Sequence, residues 1–395
     1  MLLAAAAAQL VPMPRPVALV LSPSAARIEN ALALVPPAGS RPLSVNPADS
    51  LAAVVLLAGV LTLFLTARRI FDRGGVRTLI RIIAVTALAL SAIALAQNAT
   101  ARGLMYWRFA PPREGPDPFG PFINRNHFAT WAMMAAPLCA GYLAAHAAAH
   151  PHVRKGGWRR RILRALDGRT WMMAAATMLL VVATAASLSR SGLAGLATAA
   201  LCAAILMRRR TGVQAEPALR AATPLAIVAA GAVLGALTLV GAGVISARFG
   251  ASRVALADRL AIWHDTLPIV RDFWLTGTGI GTFQVSMAVY QRSKLEVIFN
   301  QAHNHYLQIA AEGGLLCGVP VCLAVAVLAG SAWNSLAQDR SPMYFVRAGA
   351  AAGLVGVALQ SFWETGLTIP ANAAMAAVLT AIVLHRPAQA DATKH

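Results

Sequence analysis

Nine mostly apolar runs dominate this chain: 51–67, 79–97, 127–147, 171–188, 191–207, 222–245, 304–331, 344–364 and 367–385. A helix that crosses a bilayer needs about 20 such residues. Backbone inside hydrocarbon must satisfy its own polar groups, which leaves the helix as the spanning element for runs of this length. The sequence therefore predicts an all-α polytopic membrane protein with about nine transmembrane helices. Only 12% of the residues are charged and 58% are hydrophobic, whereas about a quarter of a soluble domain is charged. The formal net charge of +19 comes without a basic stretch interleaved with stacking aromatics, so nucleic acid is not an expected partner. Anionic membrane lipids are. Cys139, Cys202, Cys317 and Cys322 all fall in apolar runs, which reads as packing, with neither a disulfide nor a zinc site.

The arginines give the runs a direction. Segments 68–78, 148–169 and 208–220 are short and dense in Arg, and the positive-inside bias assigns them to the cytoplasm. The long connections 98–126 and 246–303, and the tight turn at 188–191, then face outward, and the tail 386–395 lies inside. Residues 1–50 are a Pro-rich extracytoplasmic N-terminal segment. Pro12, Pro14, Pro16, Pro23, Pro36, Pro37, Pro42 and Pro47 forbid one continuous helix there, and the segment reads as the remainder of a longer N-terminal region. The membrane domain is expected at 51–385.

Ionisable and aromatic residues gather in the outward connections, and so does the expected chemistry. Residues 252–274 predict an amphipathic helix with Leu256, Leu260, Trp263, Leu267, Val270 and Trp274 as one apolar stripe. Pro268 is expected to kink or end its first half. Arg259 borders the stripe and Arg253 precedes it. Such a helix can simply lie on the bilayer, or its guanidinium forks can take phosphate oxygens. Thr276-Gly277-Thr278-Gly279-Ile280-Gly281 follows no strand and precedes no Lys, so a tight reversal between two helices accounts for it better than a nucleotide loop.

His303-Asn304-His305-Tyr306 opens the run at 304–331. His303 and His305, two residues apart, do not share a helix face and make a poor metal pair. They are either polar capping of a span or, for His303, a base or hydrogen-bond donor aimed into a cavity. Glu312 is an intramembrane carboxylate, a functional candidate by default and otherwise a tie to a neighbouring helix. Arg190, at the tight turn 188–191, and Arg125, Asn126 and His127, at the start of the run at 127–147, fall on the same predicted membrane face.

Phe122-Ile123-Asn124-Arg125-Asn126-His127-Phe128-Ala129, Ser189-Arg190-Ser191-Gly192, Asp258-Arg259-Leu260-Ala261-Ile262-Trp263, Gly277-Thr278-Gly279-Ile280-Gly281, His303-Asn304-His305-Tyr306-Leu307-Gln308 and Glu312-Gly313-Gly314 occur in that order. The ordered set resembles the O-antigen ligase and polymerase superfamily of bacterial inner membranes over roughly residues 40–385. The resemblance implies a GT-C-type glycosyltransferase that needs neither metal nor cofactor. It implies a glycan donor on undecaprenyl pyrophosphate, used at the periplasmic face, and lipid A–core or another glycan as acceptor. By motif, the catalytic groups fall on Arg190, Arg259 and His303. The substrate-binding groups are then Arg125, Asn126, His127, Arg253, Asn304, His305, Tyr306 and Glu312. Cys317 stands where the family motif after Glu312 often repeats glycine. A transporter or flippase for lipid-linked sugars is the alternative from another class. It should carry broken helices around mid-span polar groups.

Overall fold

The computed structural model describes residues 1–32, 39–101, 103–111, 117–149, 168–210, 242–293 and 298–385, without the side chains of 242–255. Most of the apolar run at 222–245, the Arg253 side chain and the tail 386–395 lie outside that description. The described chain is all-helical apart from one two-residue antiparallel pairing, β1 (Met13–Pro14) with β2 (Ser40–Arg41). Its helices are α1 (Leu2–Ala8), α2 (Arg15–Leu21), α3 (Ala25–Leu32), α4 (Pro47–Asp72), α5 (Val76–Thr100), α6 (Arg125–Ala149), α7 (Gly168–Ala186), α8 (Arg190–Arg209), α9 (Ala242–Asp272), α10 (Phe283–Tyr290), α11 (His305–Gln338), α12 (Met343–Gln360) and α13 (Pro370–Leu384).

Among the described residues, seven helices are long and apolar enough to cross a membrane: α4, α5, α6, α7, α8, α11 and α12. Each falls on one of the runs read from hydropathy. The run at 367–385 yields α13, an apolar helix of 15 residues, too short to span unaided. In α4 and α11 few residues of the apolar stretch are buried by protein, which suits helices solvated by hydrocarbon.

The chain divides into two compact units. The first comprises residues 1–62, 246–329 and 361–370. Its core joins Ala25 and Ile28 of α3 to Ile262, Ile269 and Phe273 of α9 and Phe283, Met287 and Tyr290 of α10. The prolines of 1–50 break that segment into α1–α3, with Pro16 tolerated in the first turn of α2. Gln9 ties the segment into the unit: its Nε2 donates to Thr276 O (2.7 Å) and Glu312 O (2.9 Å), and its Oε1 accepts from Ile280 N (3.0 Å).

The second unit comprises residues 63–245, 330–360 and 371–395. Within it, α12 packs along α6 and α8, and α7 packs along α5 and α6. The α6–α12 contact depends on small residues, because a Cβ at Gly349 would lie 2.1 Å from Pro137 O and one at Gly141 2.4 Å from Phe345 O. Arg347 is buried here and forms an ion pair with Asp339, whose backbone carbonyl also accepts from Arg210.

One expectation for α9 needs correction. Pro268 neither ends nor divides it; the helix runs through to Asp272. The stripe of Leu256, Leu260, Leu267 and Trp274 is exposed. The face turned into the unit is Ile262, Thr266, Ile269 and Phe273. The helix is apolar on two sides, so periodicity alone admits both registers.

Candidate functional site

In the first unit the candidate residues are arranged by a hydrogen-bond relay. Trp263 Nε1 donates to Ala302 O (2.9 Å), Gln308 Oε1 accepts from Ala302 N (3.2 Å), and Gln308 Nε2 donates to Glu312 Oε1 (3.2 Å). Glu312 also accepts from Gly281 N (Oε2, 3.0 Å) and Phe283 N (Oε1, 3.1 Å). Both of its oxygens are thus engaged by the protein. This arrangement matches the structural alternative for Glu312, a tie between helices. The relay fixes Ala302, and with it the approach of the chain to His303.

His303 is not helical. It lies one residue ahead of Asn304, whose Oδ1 accepts from Leu307 N (3.1 Å) and caps α11. The span therefore begins at His305, and His303 adopts φ = 48°. A non-glycine residue in the left-handed region costs about 1–2 kcal/mol, and such strain persists only where the surroundings impose it. His303 Nδ1 is buried and stands 3.5 Å from Glu364 Oε1. The His303 side chain is 31% exposed and that of Glu364 is 0% exposed. At that separation the two side chains are in contact without a formed hydrogen bond: Nδ1 has no hydrogen-bond partner among the described residues. Sequence reasoning missed Glu364 as a site residue, because His303, the group it stands against, is remote along the chain.

The backbone of His305 donates to Ser361 O (2.8 Å), and its Nδ1 is buried. The Tyr306 ring packs on Phe362, with centroids 4.7 Å apart. These contacts tie the start of α11 to residues 361–362, just ahead of Glu364. Arg259 is half-buried, and among the described residues no ion pair or hydrogen bond engages its side chain.

The glycine segment is the tight reversal expected, with Gly277, Gly279 and Gly281 at φ 67°, 110° and 86°. It packs against a break in α11, where Gly314 takes φ 54°, ψ −156°. An unbroken helix would pair Leu315 N with Ala311 O and Leu316 N with Glu312 O. Instead, Leu315 and Leu316 donate to Trp274 O and Leu275 O (2.8 and 2.9 Å), and Ala311 and Glu312 accept from Thr278 N and Gly279 N (3.1 and 3.0 Å). A Cβ at Gly277 would meet Glu312 O at 2.1 Å. The closeness of the contact near Glu312 thus rests on Gly277 and Gly314, with Cys317 one turn further on.

Beyond α10, Asp265 anchors the descending chain. Its Oδ2 accepts from Ser293 Oγ (2.6 Å), Ser293 N (2.9 Å) and Arg292 N (3.0 Å). Burial pushes the Asp265 carboxyl up, but these hydrogen bonds outweigh it and hold the group below the usual carboxylate range. Burial and the hydrogen bond to Asp272 raise the Tyr290 hydroxyl to about 12.

In the second unit, the first turns of α6 and α8 are joined. Ser189 caps α8 through Gly192 N and donates to Asn126 Oδ1 (2.8 Å). Ser191 and Thr130 meet Gln360 at 3.4 and 2.7 Å. Asn124 caps α6 through Asn126 N (2.8 Å). His127 O accepts from Asn372 Nδ2 (3.2 Å), and Arg125 pairs with Asp117. Arg190 is exposed at the first position of α8, beside this cluster. Asn126 thus has a structural partner that the sequence did not reveal.

Residues 175–322 match the family described as O-antigen ligase. No curated protein matches the chain. The matched stretch contains Arg190, Arg259 and His303, while Arg125–His127 and Glu364 lie outside it. The match supports the O-antigen ligase and polymerase superfamily, and the seven long apolar helices suit a multi-pass membrane protein.

Proposed function

Starting from the O-antigen ligase family of residues 175–322, we propose that this protein is a metal-independent glycosyltransferase of the bacterial inner membrane. It moves a glycan from undecaprenyl pyrophosphate to an acceptor at the periplasmic face, as an O-antigen ligase with lipid A–core as acceptor. The observation that carries this reading is His303: a strained, partly accessible imidazole set against a buried carboxylate.

His303 Nε2 receives or orients the proton of the acceptor hydroxyl. Glu364, beside Nδ1, holds the ring and stabilises the positive charge it gains. The hydroxyl oxygen attacks the anomeric carbon, and the bond from that carbon to the phosphate oxygen breaks. Charge then grows on the departing pyrophosphate. Arg259 and Arg190 supply guanidinium groups for that charge, the preorganised electrostatics that a divalent metal provides elsewhere. Arg125, His127 and Arg253 are assigned to donor or acceptor binding.

The break in α11 is the one observation that favours a transporter, since broken helices build transport sites. Against that reading, the four backbone groups freed at Gly314 are all taken up by the reversal at 274–279, leaving none of them for a substrate. The test is purified protein with an undecaprenyl-pyrophosphate glycan and two acceptors offered separately, lipid A–core and a second glycan. Transfer to lipid A–core is the expected result. Transfer to the glycan alone would mean a polymerase, and movement of intact donor across a vesicle without transfer would overturn the enzyme reading.

A further inference from the structure

Within the second unit, at the end of the bundle away from Arg125 and Arg190, a cavity of about 400 Å³ opens among four helix ends. Arg77 and Arg81 line it from the first turns of α5, Arg169 from the first turn of α7, and Ser341 from just ahead of α12. Tyr142 and His146, late in α6, complete the polar wall. Three of the four helices begin here, so their N-terminal dipoles add positive potential to that of the arginines. No carboxylate is among the described lining residues. Among the described residues, none of Arg77, Arg81 and Arg169 makes an ion pair. The Nε of Arg81 is shut off from solvent without a hydrogen-bond partner.

Arg347, nearby in the same unit, shows how this bundle treats a buried arginine when it supplies the counter-charge itself: Asp339 pairs with it. The cavity has three arginines, Arg81 half-buried and Arg77 and Arg169 exposed, and no such partner among its described lining residues. A buried guanidinium N–H without an acceptor is costly, and a fork of donors fits phosphate oxygens. The remaining lining is apolar, with Ile80, Met343 and Val346 beside the arginines. A polar, cationic floor with an apolar side suits the junction between a phosphate headgroup and its lipid body.

We propose that this cavity is a binding site for a phosphate-bearing anion, occupied in the membrane by the headgroup of an anionic phospholipid. The site is separate from glycan transfer and does not depend on it. The probe is phosphatidylglycerol, added to the purified full chain in a neutral detergent, with phosphatidylcholine as control and inorganic phosphate and glycerol phosphate as soluble arms. Bound lipid is counted by native mass spectrometry and thermal unfolding is followed in parallel, since a ligand that binds the folded state raises its apparent Tm.

The expected result is retention of phosphatidylglycerol by the wild type with a raised Tm. Arg81→Gln should weaken binding at least tenfold, and Arg77→Gln/Arg169→Gln at least as much. Arg81→Lys, which keeps the charge without the fork, should retain part of the binding and guards against loss of fold as the explanation. A Tm rise with the soluble phosphates that the same variants abolish would also support the phosphate site and assign its occupant to solution. Equal retention of phosphatidylglycerol and phosphatidylcholine, or phosphatidylglycerol binding unchanged in the arginine variants, would overturn the proposal.

Discussion

At position 303 a histidine occupies backbone that glycine would hold at little cost, at φ 48° beside the buried Glu364. Two predictions follow from that pairing and from the arginines. His303→Ala should lower the transfer rate by roughly 10²-fold or more, the scale of general-base contributions, while donor binding persists. His305→Ala, which removes a ring whose Nδ1 is buried, should act mainly on stability. Glu364→Gln should lower kcat with KM for the donor little changed, and Glu364→Asp should recover part of the rate. Steady-state kinetics with the donor concentration varied, and thermal unfolding alongside, check all four variants; full activity in His303→Ala would remove the mechanism. Separately, Arg190→Lys and Arg259→Lys keep charge but lose the bidentate fork, so turnover should drop sharply in both with the fold intact. Near-normal turnover in Arg259→Lys would reduce that residue to an interfacial charge. Glu364 was not legible in the sequence because what gives it meaning, the ring of His303, is remote along the chain.

Helices were legible wherever a single element carried its own signal. The seven long helices stand where hydropathy placed them, because twenty apolar residues are specified locally. What needs a partner was not legible. Gly313-Gly314 reads as ordinary small residues in a span, and only the carbonyls of Trp274 and Leu275 explain why the helix opens there. The inward face of α9 was not legible for the same reason: beside the leucine stripe, Ile262, Ile269 and Phe273 find their partners only in other elements.

Two predictions belong to this scale. Gly277→Ala should destabilise the first unit by about 1–2 kcal/mol for the left-handed backbone and about 1–3 kcal/mol for the overpacking against Glu312 O; thermal unfolding in detergent measures it. Asp265→Asn should release the chain at Arg292–Ser293 and lower Tm at neutral pH. The Asp265 pKa is depressed in the folded protein. Its contribution is therefore present above the unfolded value of about 3.9 and is lost as pH falls through the lower folded value. The Tm difference between wild type and Asp265→Asn should accordingly shrink towards zero in acid. A difference independent of pH would assign the effect to the shape of the side chain and not to its charge.

For the molecule as a whole, orientation is the property on which the site assignments depend. In a cysteine-free background, an impermeant thiol reagent added from outside should label Ile298→Cys, an exposed position, and miss Gly156→Cys. Ser293 is a poor probe, since its hydroxyl is committed to Asp265. The reverse labelling pattern would invert every assignment of face.

Gln9 carries a last consequence, for biosynthesis. It leaves the ribosome well before its partners: Thr276 lies 267 positions later and Glu312 lies 303 positions later. The amide must wait, solvated, through the insertion of several spans. The reversal at 276–281 and the break at Gly314 can form together on their own, and Gln9 closes over them afterwards. Assembly of this unit thus ends with a part of the chain made long before its partners, and a nascent chain halted before Thr276 would hold that amide without any of its three partners.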